Sequence, residues 1–211
     1  IAKPPQRGQK LKKNFYQKFP ILKDKKVILF LSRIDNKKGV DLLIEAFGEI
    51  HENHPKLCLV IAGPYSKSNK LVLKLKKIIK KYNIKNKVIF TGMIEGDIKW
   101  GAYYASDFYC LPSHSENFGI VVAEALGCGC LVGISNKVNI YEDIANAKAG
   151  LIFNDTKEDT VNVLKEWLRL NKEDKIKMRK NARLLFENKY NSSKNANKFV
   201  EKLKYYFGEK V

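Results

Sequence analysis

Acidic residues are scarce in this chain of 211 residues: 22 Asp and Glu stand against 40 Lys and Arg, for a formal charge of +18. The imbalance excludes an acidic scaffold and predicts attraction to phosphates, nucleic acid or anionic lipid. Cysteine is scarce too. Cys58, Cys110, Cys128 and Cys130 lie in or beside apolar runs, where a thiol behaves as a small hydrophobe. Cys128 and Cys130 form C-x-C rather than C-x-x-C, and no second Cys or His pair stands at zinc-finger spacing. A disulfide scaffold and a zinc module are thereby excluded, and a reducing, cytoplasmic setting is expected. His51 and His54 lie three apart with no third ligand in view, which is too few for a catalytic zinc. No apolar run approaches the roughly 18–20 residues that cross a bilayer. Proline and glycine, at 6 and 13, are too few for a linker or collagen-like chain. The first residue is Ile1 and no signal-peptide pattern follows it, so the chain is expected to be processed or cut from something longer. Asn191-Ser192-Ser193 matches a glycosylation acceptor, but without a secretory signal it carries no weight.

What is present is a core. Apolar residues make up 45% of the chain, enough hydrophobic surface to offset chain entropy. Residues 1–20 are basic and contain Pro4 and Pro5, and they read as an irregular connector, leaving residues 21–211 as one domain. Short apolar runs then alternate with amphipathic segments. VILFL at 27–31 and LCLVIA at 57–62 are continuous runs, as expected of strands covered on both faces. Further strands are expected at 88–91, 107–111, 131–134 and 150–153. Val40, Leu43, Ile44, Phe47 and Ile50 share one helical stripe, and a Lys-rich amphipathic helix is expected over 71–82. Shorter helices are expected at 97–105, 119–126 and 140–145, and three longer ones near 156–170, 173–189 and 193–207. Trp100, Tyr103, Tyr104 and Trp167 read as packing residues. This alternation predicts an α/β fold: a single Rossmann-like, doubly wound parallel sheet of six strands with C-terminal helices.

In such a sheet ligands bind beyond the carboxyl ends of the strands, at the switch in strand order. With the order 3-2-1-4-5-6 that switch lies between strands one and four, so the loops after Leu31 and Leu111 are expected to face a ligand. The first reads Ser32-Arg33-Ile34-Asp35-Asn36-Lys37-Lys38-Gly39 and opens a helix. Fixed positive charge beside free backbone N–H groups suits a diphosphate. The second reads Pro112-Ser113-His114-Ser115-Glu116-Asn117-Phe118-Gly119 and runs into IVVAEALGCG. Gly119 lets backbone approach a ligand without a Cβ in the way. Glu124 lies inside an apolar helix, where a carboxylate is costly unless paired or facing a cleft.

The pairing of SRIDNKKGVDLLIEAF with LPSHSENFGIVVAEALGCG resembles the C-terminal, donor-binding domain of family-4 retaining glycosyltransferases of the GT-B fold. Glu116 and Glu124 match the carboxylates of that family's E-x7-E motif, and the resemblance spans about residues 15–207. It implies a retaining hexosyltransferase. Arg33 and Lys38 would hold the diphosphate of a nucleotide-sugar, such as a UDP- or GDP-hexose, and stabilise the leaving phosphate as charge develops on it. Glu116 would bind hydroxyls of the donor sugar, and Glu124 the vicinal hydroxyls of the ribose. Phe118, Gly119 and Ile120 would present backbone N–H groups. Gly63, Pro64, Met93 and Ile94 would flank the nucleobase, and His114 lies within reach of the donor. The family works without a bound metal, and the sequence contains no Asp-x-Asp. Many members have Gly before the diphosphate Arg; here that residue is Ser32.

The family also implies a partner, an N-terminal acceptor domain that this chain lacks. Alone, the chain is expected to bind donor weakly or not at all and to transfer no sugar. Its expected setting is bacterial surface polysaccharide synthesis, including lipopolysaccharide, with the protein peripheral at the inner face of the membrane through its Lys-rich helices. The competing reading is a basic module, binding nucleic acid or anionic membrane without catalysis. Against specific nucleic-acid recognition, the basic residues are spread along the chain, are mostly Lys, and come with no RNA-binding aromatic signature. A nicotinamide dehydrogenase is excluded because the first strand is followed by SRIDNKKG, not G-x-G-x-x-G.

Overall fold

The computed structural model describes residues 1–65, 70–192 and 196. Six parallel strands form one sheet: β1 (Lys26–Leu31), β2 (Leu57–Ala62), β3 (Val88–Gly92), β4 (Phe108–Leu111), β5 (Val132–Ser135) and β6 (Gly150–Phe153). Their order is β3-β2-β1-β4-β5-β6, the doubly wound arrangement expected from the alternation of runs. The order follows burial. All of β2, β4 and β5, and all of β1 but Lys26, are buried, whereas β3 and β6 are mostly half-buried and form the edges. A run such as LCLVIA has no polar side to turn outward, so it must be covered on both faces.

The covering helices are α1 (Gly8–Lys18), α2 (Val40–Ile50), α3 (Lys70–Lys81), α4 (Gly96–Ala105), α5 (Ile120–Gly127), α6 (Tyr141–Asn146), α7 (Lys157–Arg169) and α8 (Lys172–Leu185), which continues as a π-helical turn over Phe186–Tyr190. α2 packs on α3 and α7, α4 on α1, and α5 and α6 on α8. Right-handed crossovers leaving β1 in opposite lateral directions send helices to opposite faces of the sheet. Trp167 of α7 stacks on Phe108 of β4, with ring centroids 4.8 Å apart, so it is indeed a packing residue. The helix expected near 193–207 falls, apart from Ala196, outside the described residues.

The N-terminal stretch departs from expectation. Residues 1–20 are not irregular, because Gly8–Lys18 forms α1, with Leu11 and Phe15 fully buried. These two residues are four apart and share one helical face. The lysines around them hide the short apolar stripe when the segment is judged by composition. Gly101 of α4 makes the close packing feasible, since a Cβ there would lie 2.4 Å from the Leu11 carbonyl oxygen. Tyr104 donates to the Pro5 carbonyl at 2.7 Å, and the Ile1 amino group donates to the Tyr190 carbonyl at 2.9 Å.

The register places the two ligand-facing loops side by side. Leu31 is level with Ala62, and Ile28 with Phe108. The chains leaving β1 and β4 therefore emerge together at the switch point, where no strand lies between them.

Candidate functional site

Backbone stitches the two loops together. The Lys37 carbonyl accepts both the Ser113 hydroxyl and the His114 N–H, each at 2.8 Å. Gly39, at φ +63°, lies against Pro112, and a Cβ there would stand 1.9 Å from the Pro112 carbonyl oxygen. Glycine is required both for the left-handed backbone and for this approach. From the far side, Ser135 at the end of β5 donates its hydroxyl to the Ser113 carbonyl. Glu116 forms a β-bridge with Val138, its N–H bonding Lys137 O at 3.0 Å.

Between these loops is an open cleft of about 360 Å3 lined by Ser32, Arg33, Lys38, Glu116 and the run Asn117–Val121. Larger hollows lie elsewhere, one of about 530 Å3 where α1, α4 and α8 meet. There, however, Arg179 and Arg183 are already engaged with carbonyl groups of Cys128, Gly129 and Asp107. The 360 Å3 cleft is the one at the switch point.

Its chemistry is a balance of charges. Arg33 is exposed, and no residue among those described pairs with its side chain. Lys38 is buried and forms an ion pair with Glu116 Oε2. Lys38 and Glu116 thus satisfy each other, which a buried charge requires. α5 opens at Gly119, φ +75°, with no side-chain cap. The first N–H groups of a helix have no internal partner, so the positive end of α5 is presented to the cleft. Phe118 and Ile120 flank this end with 41% and 59% of their surface exposed. An anion bearing hydroxyls matches the set: a free guanidinium, helix N–H donors, an ammonium, and a carboxylate able to accept O–H groups.

Other expected site residues lie around the cleft rather than in its lining. Gly63 abuts the first loop, and a Cβ on it would sit 1.9 Å from the Ser32 carbonyl oxygen. Pro64 is exposed beside it. Met93, 63% exposed, and Ile94, buried, follow the end of β3. His114 points to the rim, where Nδ1 is 2.8 Å from Asp155 Oδ2. That hydrogen bond holds the Asp155 carboxyl below its usual range. Glu124 is buried one helical turn behind the cleft, held by Lys99 and Tyr103. Reading Glu124 as paired or cleft-facing is met by pairing. Tyr103, taken as packing, is buried but also donates a hydrogen bond to it. Sequence reasoning missed Lys99 and Asp155. The four-residue spacing of Lys99 and Tyr103 on α4 was a usable signal, but their partner lies 21 or more positions away. His51 Nδ1 lies 2.9 Å from the Gly48 carbonyl oxygen. Among the described residues no group of three or more His, Cys, Asp or Glu side chains is placed to hold a metal ion.

Over residues 12–185 the sequence matches the family described as glycosyl transferases group 1. The chain belongs to that family. An uncharacterized glycosyltransferase of Methanocaldococcus jannaschii is 32% identical over 159 residues, covering 73% of this chain and 40% of the relative. Among solved structures, Anabaena HepE in complex with UDP and glucose superposes with a TM-score of 0.79 at 19% identity, over 92% of this chain and 52% of that one. WaaG, a glycosyltransferase involved in lipopolysaccharide biosynthesis, superposes with a TM-score of 0.78 at 22% identity, over 93% and 52%. At these identities the likeness bears on the fold, which is that of GT-B glycosyltransferases. The group 1 chain spans less than half the length of this curated relative and about half of each solved chain. Among the described residues of this glycosyltransferase chain, no helix is long and apolar enough to cross a membrane.

Proposed function

We propose that this chain is the donor-binding half of a retaining glycosyltransferase, which moves a hexose from a nucleotide-diphosphate sugar to a glycan or lipid-linked acceptor. The observation that carries the reading is the meeting of Arg33, Lys38, Glu116 and the uncapped start of α5 in one cleft. Arg33 and the α5 N–H groups bind the diphosphate. Lys38 shifts from Glu116 toward the leaving phosphate, where negative charge grows as the glycosidic bond breaks. Glu116, released from Lys38, accepts hydroxyls of the sugar. Glu124 accepts the ribose hydroxyls, and Gly63, Pro64, Met93 and Ile94 border the base. Ser32 and His114 flank the donor. Such a site carries enough fixed positive charge to work without a metal.

The acceptor is held by an N-terminal domain of the same protein. The UDP and glucose named for HepE and the lipopolysaccharide role named for WaaG support a nucleotide-sugar donor and a place in surface polysaccharide synthesis. Membrane association is a second reading, favoured by one observation. Lys74, Lys76, Lys77, Lys80 and Lys81 are all exposed on α3, which contains no acidic residue. Each lysine near an anionic surface contributes about 1 kcal/mol of attraction. This would place the protein in the cytoplasm, at the inner face of the membrane.

A thermal-shift panel of UDP, GDP, ADP and their sugars tests the donor reading. One nucleotide series raises the melting temperature, the shift persists in EDTA, and Arg33→Ala and Lys38→Ala remove it. A shift that survives both substitutions refutes the assignment of the cleft.

A further inference from the structure

Glu124 belongs to α5, yet both of its carboxylate oxygens are held from α4. Lys99 Nζ lies 2.7 Å from Oε1, and the Tyr103 hydroxyl donates to Oε2 at 2.9 Å. Lys99 and Tyr103 are four residues apart, so they stand one above the other on a single helix face. The carboxylate is only 11% exposed, and a charge this enclosed requires donors. Each donor is itself constrained. Lys99 Nζ sits 4.6 Å from the centre of the Trp100 ring. Tyr103 is fully buried; burial, reinforced by the Glu124 carboxylate, pushes its hydroxyl well above the usual phenol range. It therefore stays protonated and keeps donating.

The pattern leaves a definite remainder. A carboxylate has roughly four acceptor positions. Lys99 and Tyr103 take one on each oxygen, which leaves one on each without a donor among the hydrogen bonds described. Two adjacent open acceptors match two vicinal hydroxyls. α4 also starts at Gly96, two residues after Ile94. One rigid helix thus links the segment expected to border the base to the carboxylate expected to hold the ribose.

We propose that Lys99 and Tyr103 are positioning residues for the donor, fixing Glu124 so that its open lone pairs accept the vicinal hydroxyls of the nucleotide ribose. The proposal rests on the reading of Glu124 as the ribose carboxylate. Lys99 acts through Glu124 and touches neither phosphate nor sugar. Its effect is therefore confined to the ribose, and the expected consequence is preference for ribonucleotides over their 2′-deoxy forms.

Titration calorimetry of the 211-residue chain with UDP, GDP and ADP, each beside its 2′-deoxy counterpart, tests this. The unmodified protein prefers the ribo form of its nucleotide by about tenfold, the worth of a hydrogen bond to a charged group. Glu124→Gln removes the preference. Lys99→Met and Tyr103→Phe reduce it to about twofold by weakening the ribonucleotide, which loses two aimed hydroxyl contacts, more than the 2′-deoxy form, which loses one. Lys99→Arg restores it. A general structural defect would weaken both forms equally, and that result overturns the proposal. So does a preference that vanishes in Glu124→Gln but survives in Lys99→Met and Tyr103→Phe, with the ribose reading left standing. Absence of any ribose preference in the unmodified protein removes the ribose reading and the proposal together.

Discussion

Gly39→Ala is the sharpest probe of how the two loops are joined. Gly39 has φ +63°, and an L side chain in that region costs about 1–2 kcal/mol. The added methyl would lie 1.9 Å from the Pro112 carbonyl oxygen and 2.8 Å from its carbonyl carbon. Neither neighbour can step aside easily. Pro112 follows β4, which is buried between β1 and β5, and the next residue bonds back to Lys37. Overpacking of this kind adds about 1–3 kcal/mol. The total of about 2–5 kcal/mol converts to a melting temperature lower by roughly 10 °C, at about 2–4 °C per kcal/mol for a domain of this size. Gly92→Ala is the matched control. Its φ is +71°, but nothing lies within 4 Å of its would-be Cβ, so only the backbone cost remains, a drop of about 4 °C. Differential scanning fluorimetry on the two variants isolates the contact as their difference. If Gly39→Ala melts no lower than Gly92→Ala, the loops are not in contact as described. Nucleotide affinity gives a second readout, since the residue forced to move first is Lys38.

Phe15→Ala should destabilise by about 3–5 kcal/mol, as expected for a fully buried aromatic, whereas an irregular connector would tolerate it; equilibrium denaturation distinguishes the two. The four thiols are free and buried, and burial pushes Cys130 up to about 11 and raises Cys58, Cys110 and Cys128 as well. Thiol reagents at about pH 9, above the ordinary thiol value, should label the native protein slowly and the unfolded chain at once; fast native labelling contradicts the packing. The acid limb follows from Asp143 and Asp155. For Asp143, burial alone would raise the pKa, but hydrogen bonds from Lys189 and Tyr190 outweigh it; for Asp155 the His114 hydrogen bond leads, and both carboxyls lie below 3.8. Groups depressed in the folded state stabilise above their ordinary value and lose that contribution as pH falls through the lowered one. Melting temperature should therefore fall as pH drops below about 4, and Asp155→Asn should flatten that fall by lowering the curve near neutrality, where the contribution is in force, while leaving its acid end unchanged.

The sheet could be read directly because its cause is local. VILFL and LCLVIA have no polar alternation, Gly63-Pro64 and Gly92 punctuate the strands, and such runs have one stable use, the middle of a parallel sheet. Glu116 and Arg33 were also findable, because each sits in a loop whose place at the switch point follows from strand order. α1 was not: Leu11 and Phe15 form a stripe of two among lysines, and only Gly101, some 90 positions away, makes room for it. Lys99 escaped for the same reason. Nothing near it in the chain distinguishes it from dozens of other basic residues; its distinction is the buried carboxylate of Glu124, brought beside it by a crossover.

Sequence alone therefore determined the layer architecture, the strand order and which two loops meet, since periodicity, glycines and the handedness of crossovers act over short stretches of chain. The tertiary structure decided the charge partners. It set Lys38 on Glu116, Lys99 and Tyr103 on Glu124, and His114 on Asp155. An ion pair depends on the last few ångströms between side chains on separate elements, and that distance is fixed only when the helices dock on the sheet.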